Sequence, residues 1–225
     1  MKRINVYDNA KILDNASVSD LAEVHGNSII SGNAKIYDNA NVYGKSIVKD
    51  NAEVYEDSTV FDGNIFGSAR IYGASEVFGN VSGNAKVYGN ASIRGGCKVY
   101  RDAEVYGNAI IDESCIVCGN SKVYGNAYLV GEVKVYGNAK VYDNATIKKD
   151  SNICGNACIY GSAEIISSDI YGNSKISGSS TIKNSSVFGN AIIKFDDDFF
   201  SSMYYISNKI ICGKARLMGK LLLIK

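Results

Sequence analysis

An aliphatic residue returns every six positions along this chain, from Val6 to Ile193, and nearly the same five residues follow it each time. Val135 to Lys140 reads Val-Tyr-Gly-Asn-Ala-Lys, and Val-Tyr-Asp-Asn-Ala-Thr follows at once from Val141. The series runs in sixes from Val6 to Val60, continues at Ile65, Ile71, Val77 and Val81, and runs in sixes again to Ile165. Ile170, Ile176, Ile182, Val187 and Ile193 complete 33 units. A fixed short period means that each unit buries its apolar side only by stacking on its neighbours.

The unit has a physical logic. In Ala-Lys-Val-Tyr, alternation sends Ala and Val to one side and Lys and Tyr to the other, as a short strand requires. Gly-Asn or Asp-Asn then bends the chain, because Gly has no Cβ penalty and Asn tolerates left-handed backbone geometry. The 23 glycines serve these bends, and the absence of proline leaves a parallel ladder unbroken. Strands this short satisfy their backbone only by pairing with the coil above and below.

The irregular steps give the size of a coil. They follow Val60, Val77, Ile165 and Ile182, which are units 10, 13, 28 and 31. All four leave the same remainder on division by three. A triangular coil of three units, 18 residues, with one variable corner accounts for them. Eleven such coils at roughly 4.8 Å each make a prism about 50 Å long. The expected fold is therefore all-β, a single three-sided parallel β-helix of about 11 coils.

This pattern resembles the hexapeptide-repeat, left-handed β-helix proteins, and the Gly/Asp-Asn-Ala-x-Val-Tyr wording is similar to the YdcK-type solenoids, a bacterial and phage group often labelled acyltransferases. The left hand comes from that resemblance, since parallel crossovers are in general right-handed. The resemblance covers residues 4 to 194 and divides the chain into a solenoid, 1–194, and a C-terminal segment, 195–225. In that segment Met203 to Ile206 and Lys209 to Cys212 read as strands, and Ala215-x-Leu217 echoes the repeat. An open solenoid end invites polymerisation, so the expected role of 195–225 is a short cap, with Leu217 to Ile224 folded over the last coil.

Three units per coil sort the outward residues into columns. One face collects Tyr37, Tyr55, Tyr72, Tyr88, Tyr106, Tyr124, Tyr142 and Tyr160. Two residues earlier in each strand lie Lys35, Glu53, Arg70, Lys86, Glu104, Lys122, Lys140 and Cys158. The tyrosines serve either as a structural ladder or as an adhesive surface. The expected binding residues are the eight tyrosines with Lys86, Lys122 and Lys140. Their expected partner is a second copy, another protein, or a glycan whose sugar faces stack on the rings.

The resemblance also implies an alternative. Hexapeptide acyltransferases use a histidine as general base, take a coenzyme A or carrier thioester between the prisms of a trimer, and carry a protruding loop. Here the single histidine, His25, sits on a regular coil where an aromatic residue usually sits, and no insertion breaks the repeat. His25 is the only candidate base for that chemistry, and one histidine is too few for the metal site of the related γ-type carbonic anhydrases. Asp196, Asp197 and Asp198 read as a solvated turn rather than a cation site. Cys97 and Cys115 stand where Ala or Ser usually stands, and Cys118, Cys154, Cys158 and Cys212 form no CxxC pair, so no metal is expected.

The net charge of +1 gives no reason to expect nucleic acid, and no apolar run reaches membrane-spanning length. Met1 to Val6 enters the repeat directly, without a signal region, so the expected location is the cytoplasm. The residues together suggest a non-catalytic structural or binding solenoid that needs no cofactor.

Overall fold

The computed structural model describes residues 5–195 and 204–218. Its 35 strands are two to four residues long and fall into three wholly parallel sheets of 12, 12 and 11 strands. Each sheet takes every third strand in sequence, so a coil is three units and the prism has three sides. Among the described residues there is no helix, and so none long and apolar enough to cross a membrane.

We name the sides by what they carry. The His25 sheet has 11 strands, including Glu23–Val24, and is extended by an isolated bridge from Val6 to Val24. The mixed sheet holds Lys11–Ile12 and its partners, and the tyrosine sheet holds Lys35–Ile36 and its partners. All four shortened steps follow strands of the His25 sheet: Thr59–Phe61, Glu76–Val77, Glu164–Ile166 and Ser180–Lys183. The register survives each of them, as in Val60 against Val77 and Ile165 against Ile182. The slack is taken up at one corner, and the sheets stay aligned.

The interior is the predicted one. Ile36, Val54, Ile71, Val87 and their equivalents are fully buried, with Ala34, Ala52, Ala69 and Ala85 behind them. Where serine replaces alanine inside, its hydroxyl usually bonds a carbonyl three residues back, although Ser28 Oγ has no partner among the described residues. Ser46 Oγ donates to the Tyr43 carbonyl at 2.7 Å, and Ser58 Oγ to that of Tyr55 at 2.7 Å. Cys97 and Cys115 are buried in the same small-residue position.

At the regular corners positive φ belongs to the residue before the asparagine, for example Gly125 at 70° and Asp143 at 57°, while Asn126 and Asn144 are not left-handed; Asn184 and Asn208, after Lys183 and Ser207, are. Asparagine instead forms side-chain ladders along the corners. Asn90 Nδ2 donates to Asn108 Oδ1 at 3.0 Å, Asn108 to Asn126 at 3.0 Å, and Asn126 to Asn144 at 2.9 Å. A second ladder runs from Asn120 through Asn138, Asn156 and Asn173 to Asn190. An amide carries both a donor and an acceptor, so each rung can serve the rungs on both sides. Aspartate at the left-handed position does a related job: Asp8 and Asp14 accept from the backbone N–H of Gly26 and Gly32, one coil on, both at 2.9 Å.

The tail rejoins the stack. Tyr204–Ser207, Ile210–Ile211 and Arg216–Met218 add one parallel strand to each of the three sheets. Two sheets therefore reach 12 rungs, one more than the unbroken repeat supplies. Asp196, Asp197 and Asp198, and residues 219–224 of the expected lid, lie outside the described residues.

Candidate functional site

The eight tyrosines form one continuous ladder. Tyr37, Tyr55, Tyr72, Tyr88, Tyr106, Tyr124, Tyr142 and Tyr160 stack with centroids 4.7 to 5.1 Å apart and planes within 5° of parallel. The strand spacing dictates this, because one ring per rung on the same outward position leaves each ring only its neighbours to lie against. The ladder stops where the column changes to Ser19 above Tyr37 and to Ser177 below Tyr160.

That geometry changes what the strip can offer. From Tyr55 to Tyr142 both ring faces are covered, so no sugar can stack on them. The outward surface consists of ring edges and hydroxyls. Burial pushes the hydroxyls of Tyr55 and Tyr142 up to about 12, and raises those of Tyr37, Tyr72, Tyr88, Tyr106 and Tyr124 above the ordinary value. They therefore stay neutral donors near pH 7.

The neighbouring column is organised in triads. Glu53 lies between Lys35, at 3.7 Å, and Arg70, at 3.2 Å. Glu104 lies between Lys86, at 3.8 Å, and Lys122, at 2.8 Å. Each triad keeps one net positive charge. Lys140 and Lys175 follow in register around Cys158, and neither has an ion pair among the described residues. The corner that follows this sheet is acidic, with Asp20, Asp38, Glu56, Asp57 and Asp143. Of the named binding residues, the tyrosines, Lys86, Lys122 and Lys140 thus share one face, with Lys86 and Lys122 tied to Glu104.

His25 lies on another side of the prism. Its ring stacks on Tyr7 with centroids 4.6 Å apart, and its Nε2 sits 3.1 Å from Glu23 Oε2. A groove of about 480 Å³ runs beside it, lined by Asn5, Leu21, Glu23, Asn41, Asp57 and Thr59, but His25 is not part of its wall. A second polar groove, about 560 Å³, lies at the variable corner near Glu113, Glu132, Lys148 and Asp150. Among the described residues no three His, Cys, Asp or Glu side chains gather as metal ligands would.

The sequence reading located the tyrosine face by counting but missed the pairing of Glu53 and Glu104 with cations one coil away. The signal was the alternation Lys, Glu, Arg, Lys, Glu, Lys read at coil spacing. It also missed Glu23 as the partner of His25, two residues earlier on the same outward side.

Repeat, register and side count define the protein as a hexapeptide-repeat, three-sided parallel β-solenoid. No family model matches the chain, and no curated protein matches it. Among solved structures it is similar to UDP-N-acetylglucosamine acyltransferases, including the following three. That of Campylobacter jejuni is 16% identical over 76% of this chain and 67% of that one, with a TM-score of 0.32. The Arabidopsis enzyme is 14% identical over 91% of this chain and 69% of that one, with a TM-score of 0.31. The O-acyltransferase of Moraxella catarrhalis is 15% identical over 85% of this chain and 68% of that one, with a TM-score of 0.35. Likeness at that level carries nothing about activity.

Proposed function

We propose that the protein is a non-catalytic binding solenoid whose tyrosine face docks a slender, carboxylate-bearing chain, either an acidic glycan or an extended acidic peptide. The observation behind this is the pairing of two columns at one rung spacing: neutral hydroxyl donors beside five cations and two acids, with two more cations continuing the column past the ladder. The cations are Lys35, Arg70, Lys86, Lys122, Lys140, Lys175 and Arg216. Donors in a row favour an acceptor-rich partner. The acidic corner alongside repels a broad polyanion, which restricts the partner to a narrow one.

Titrating the protein with polygalacturonate and with polyglutamate tests the reading and separates the two sources. One polymer is expected to bind with salt-dependent affinity, weakened at least tenfold in the triple variant Lys86→Glu, Lys122→Glu, Lys140→Glu. Neither binding, or binding that the variant leaves unchanged, would count against it.

One observation favours acyl transfer from a coenzyme A or carrier thioester as a second reading. Glu23 holds His25 at 3.1 Å, as a carboxylate orients a general base. A ligand of the native state raises its stability. Millimolar coenzyme A that raises the melting temperature of the protein, but not of His25→Ala, would replace the scaffold reading with this one.

A further inference from the structure

The largest exposed apolar side chains are not on the tyrosine face. Among the described residues six of the eight, Leu13, Ile47, Phe66, Tyr136, Tyr171 and Ile210, lie on the mixed sheet, at 36 to 76% exposure. Twelve rungs at about 4.8 Å, with the four non-turn residues of each unit about 13 Å long, give this side a footprint of about 750 Å². A stable pair needs about 800 Å² per partner, so the face matches that size.

The outward column after each interior aliphatic residue, read in rung order, pairs with its own reverse. About a two-fold centre between the rungs of Val99 and Val117, Leu13 meets Cys212, Ser31 meets Phe188, and Phe66 meets Cys154. Ser82 meets Tyr136, and Tyr100 meets Cys118. Each of these five places a large side chain against a small one. In the sixth pair, Lys49 meets Tyr171, a cation over a ring, with Asp169, the one acid of the face, on the same rung as Tyr171. A shift of the centre by half a rung toward the N-terminus sets Phe66 against Tyr136 and Tyr100 against its own copy. A shift the other way sets Phe66 against Tyr171 and Tyr100 against Tyr136. Both leave Ser82 opposite another small residue. Shifts of a full rung set Leu13 against Tyr171 or Phe66 against Phe188, so only the central register interleaves along the whole column.

We infer that two copies of this chain pair through their mixed sheets, antiparallel, about a two-fold axis between the rungs of Val99 and Val117. An isologous contact of this kind closes on itself and leaves both tyrosine faces free. The inference deepens the scaffold reading by naming one partner and its surface. It uses none of the residues assigned to the acidic chain, so either can fail alone.

A disulfide trap tests the register. Phe66 has no cysteine on the adjacent rungs, where Lys49 and Ser82 lie, and Cys154 is five rungs away within its own chain. Under mild oxidation by a small-molecule disulfide, Phe66→Cys is expected to form a covalent dimer of about twice 24.2 kDa. Phe66→Cys with Cys154→Ser is expected not to. Light scattering of the unmodified protein should show the same dimer without oxidant. A monomer by light scattering, or cross-linking that persists without Cys154, would overturn the inference, whether or not either variant is less stable.

Discussion

At the scale of single residues, the corner positions divide labour that the sequence alone blurs. Gly-Asn reads as a turn pair in which either residue could take positive φ, and only the register shows that glycine or aspartate takes it while asparagine hydrogen-bonds its equivalent in the next coil. That partner is 18 residues away, so no local pattern announces it. The two roles predict opposite outcomes at Asn126. If asparagine supplied a left-handed bend, Asn126→Gly would be harmless. As a ladder rung, it should cost about 1 kcal/mol by urea melting, and Asn126→Ala should cost about as much. Gly107 gives a companion test. Its φ is 72°, and an added Cβ would lie 3.0 Å from the Gly125 nitrogen. Gly107→Asp should be tolerated better than Gly107→Val, because the carboxylate can accept from the Gly125 N–H as Asp8 accepts from that of Gly26. Equal melting temperatures for these two variants would contradict that.

At the scale of the element, the tyrosine ladder is both structure and surface. Stacked pairs contribute about 0.5 to 1.5 kcal/mol each beyond simple burial. Tyr106 takes part in two of them. Tyr106→Ser should therefore lower stability by about 2 kcal/mol, and Tyr106→Phe, which keeps the stack, by less than about 0.5 kcal/mol. The hydroxyls add a pH signature. From Tyr37 to Tyr142 their folded-state values lie above the ordinary value near 10, reaching about 12 at Tyr55 and Tyr142, chiefly through burial. Between those limits the unfolded chain releases protons that the folded chain keeps, so stability falls as pH rises. Melts should be flat below about pH 9 and decline from pH 10 to 12, with the ladder tyrosines ionising late in ultraviolet titration. Decline that begins near pH 8 would point to other groups. The column of tyrosines was legible from spacing alone. That their faces are mutually covered was not, since it depends on the ring planes, and it replaces stacked sugars with hydrogen-bonded carboxylates as the proposed ligand chemistry.

At the scale of the whole molecule, stability is close to a sum of coils and nearest-neighbour contacts. The periodicity set the number of sides and the variable corner, because four short steps fell on one side of the prism. It missed the twelfth rung, because the segment from Phe195 to Met203 breaks the repeat before Tyr204–Ser207 resumes the stack. The central claim, that three consecutive units make one coil and that faces arise from positions a coil apart, is tested by two deletions. Removing residues 104–121 takes out one full coil of 18 residues and joins Ala103 to Lys122 in register. Removing 104–109 takes out a single unit and moves every later residue to a different side of the prism. The first deletion should melt cooperatively within a few degrees of the full chain. The second should melt much lower, because it splits the tyrosine ladder, the cation triads and the asparagine ladders at once. Equal melting temperatures for the two deletions would contradict the account.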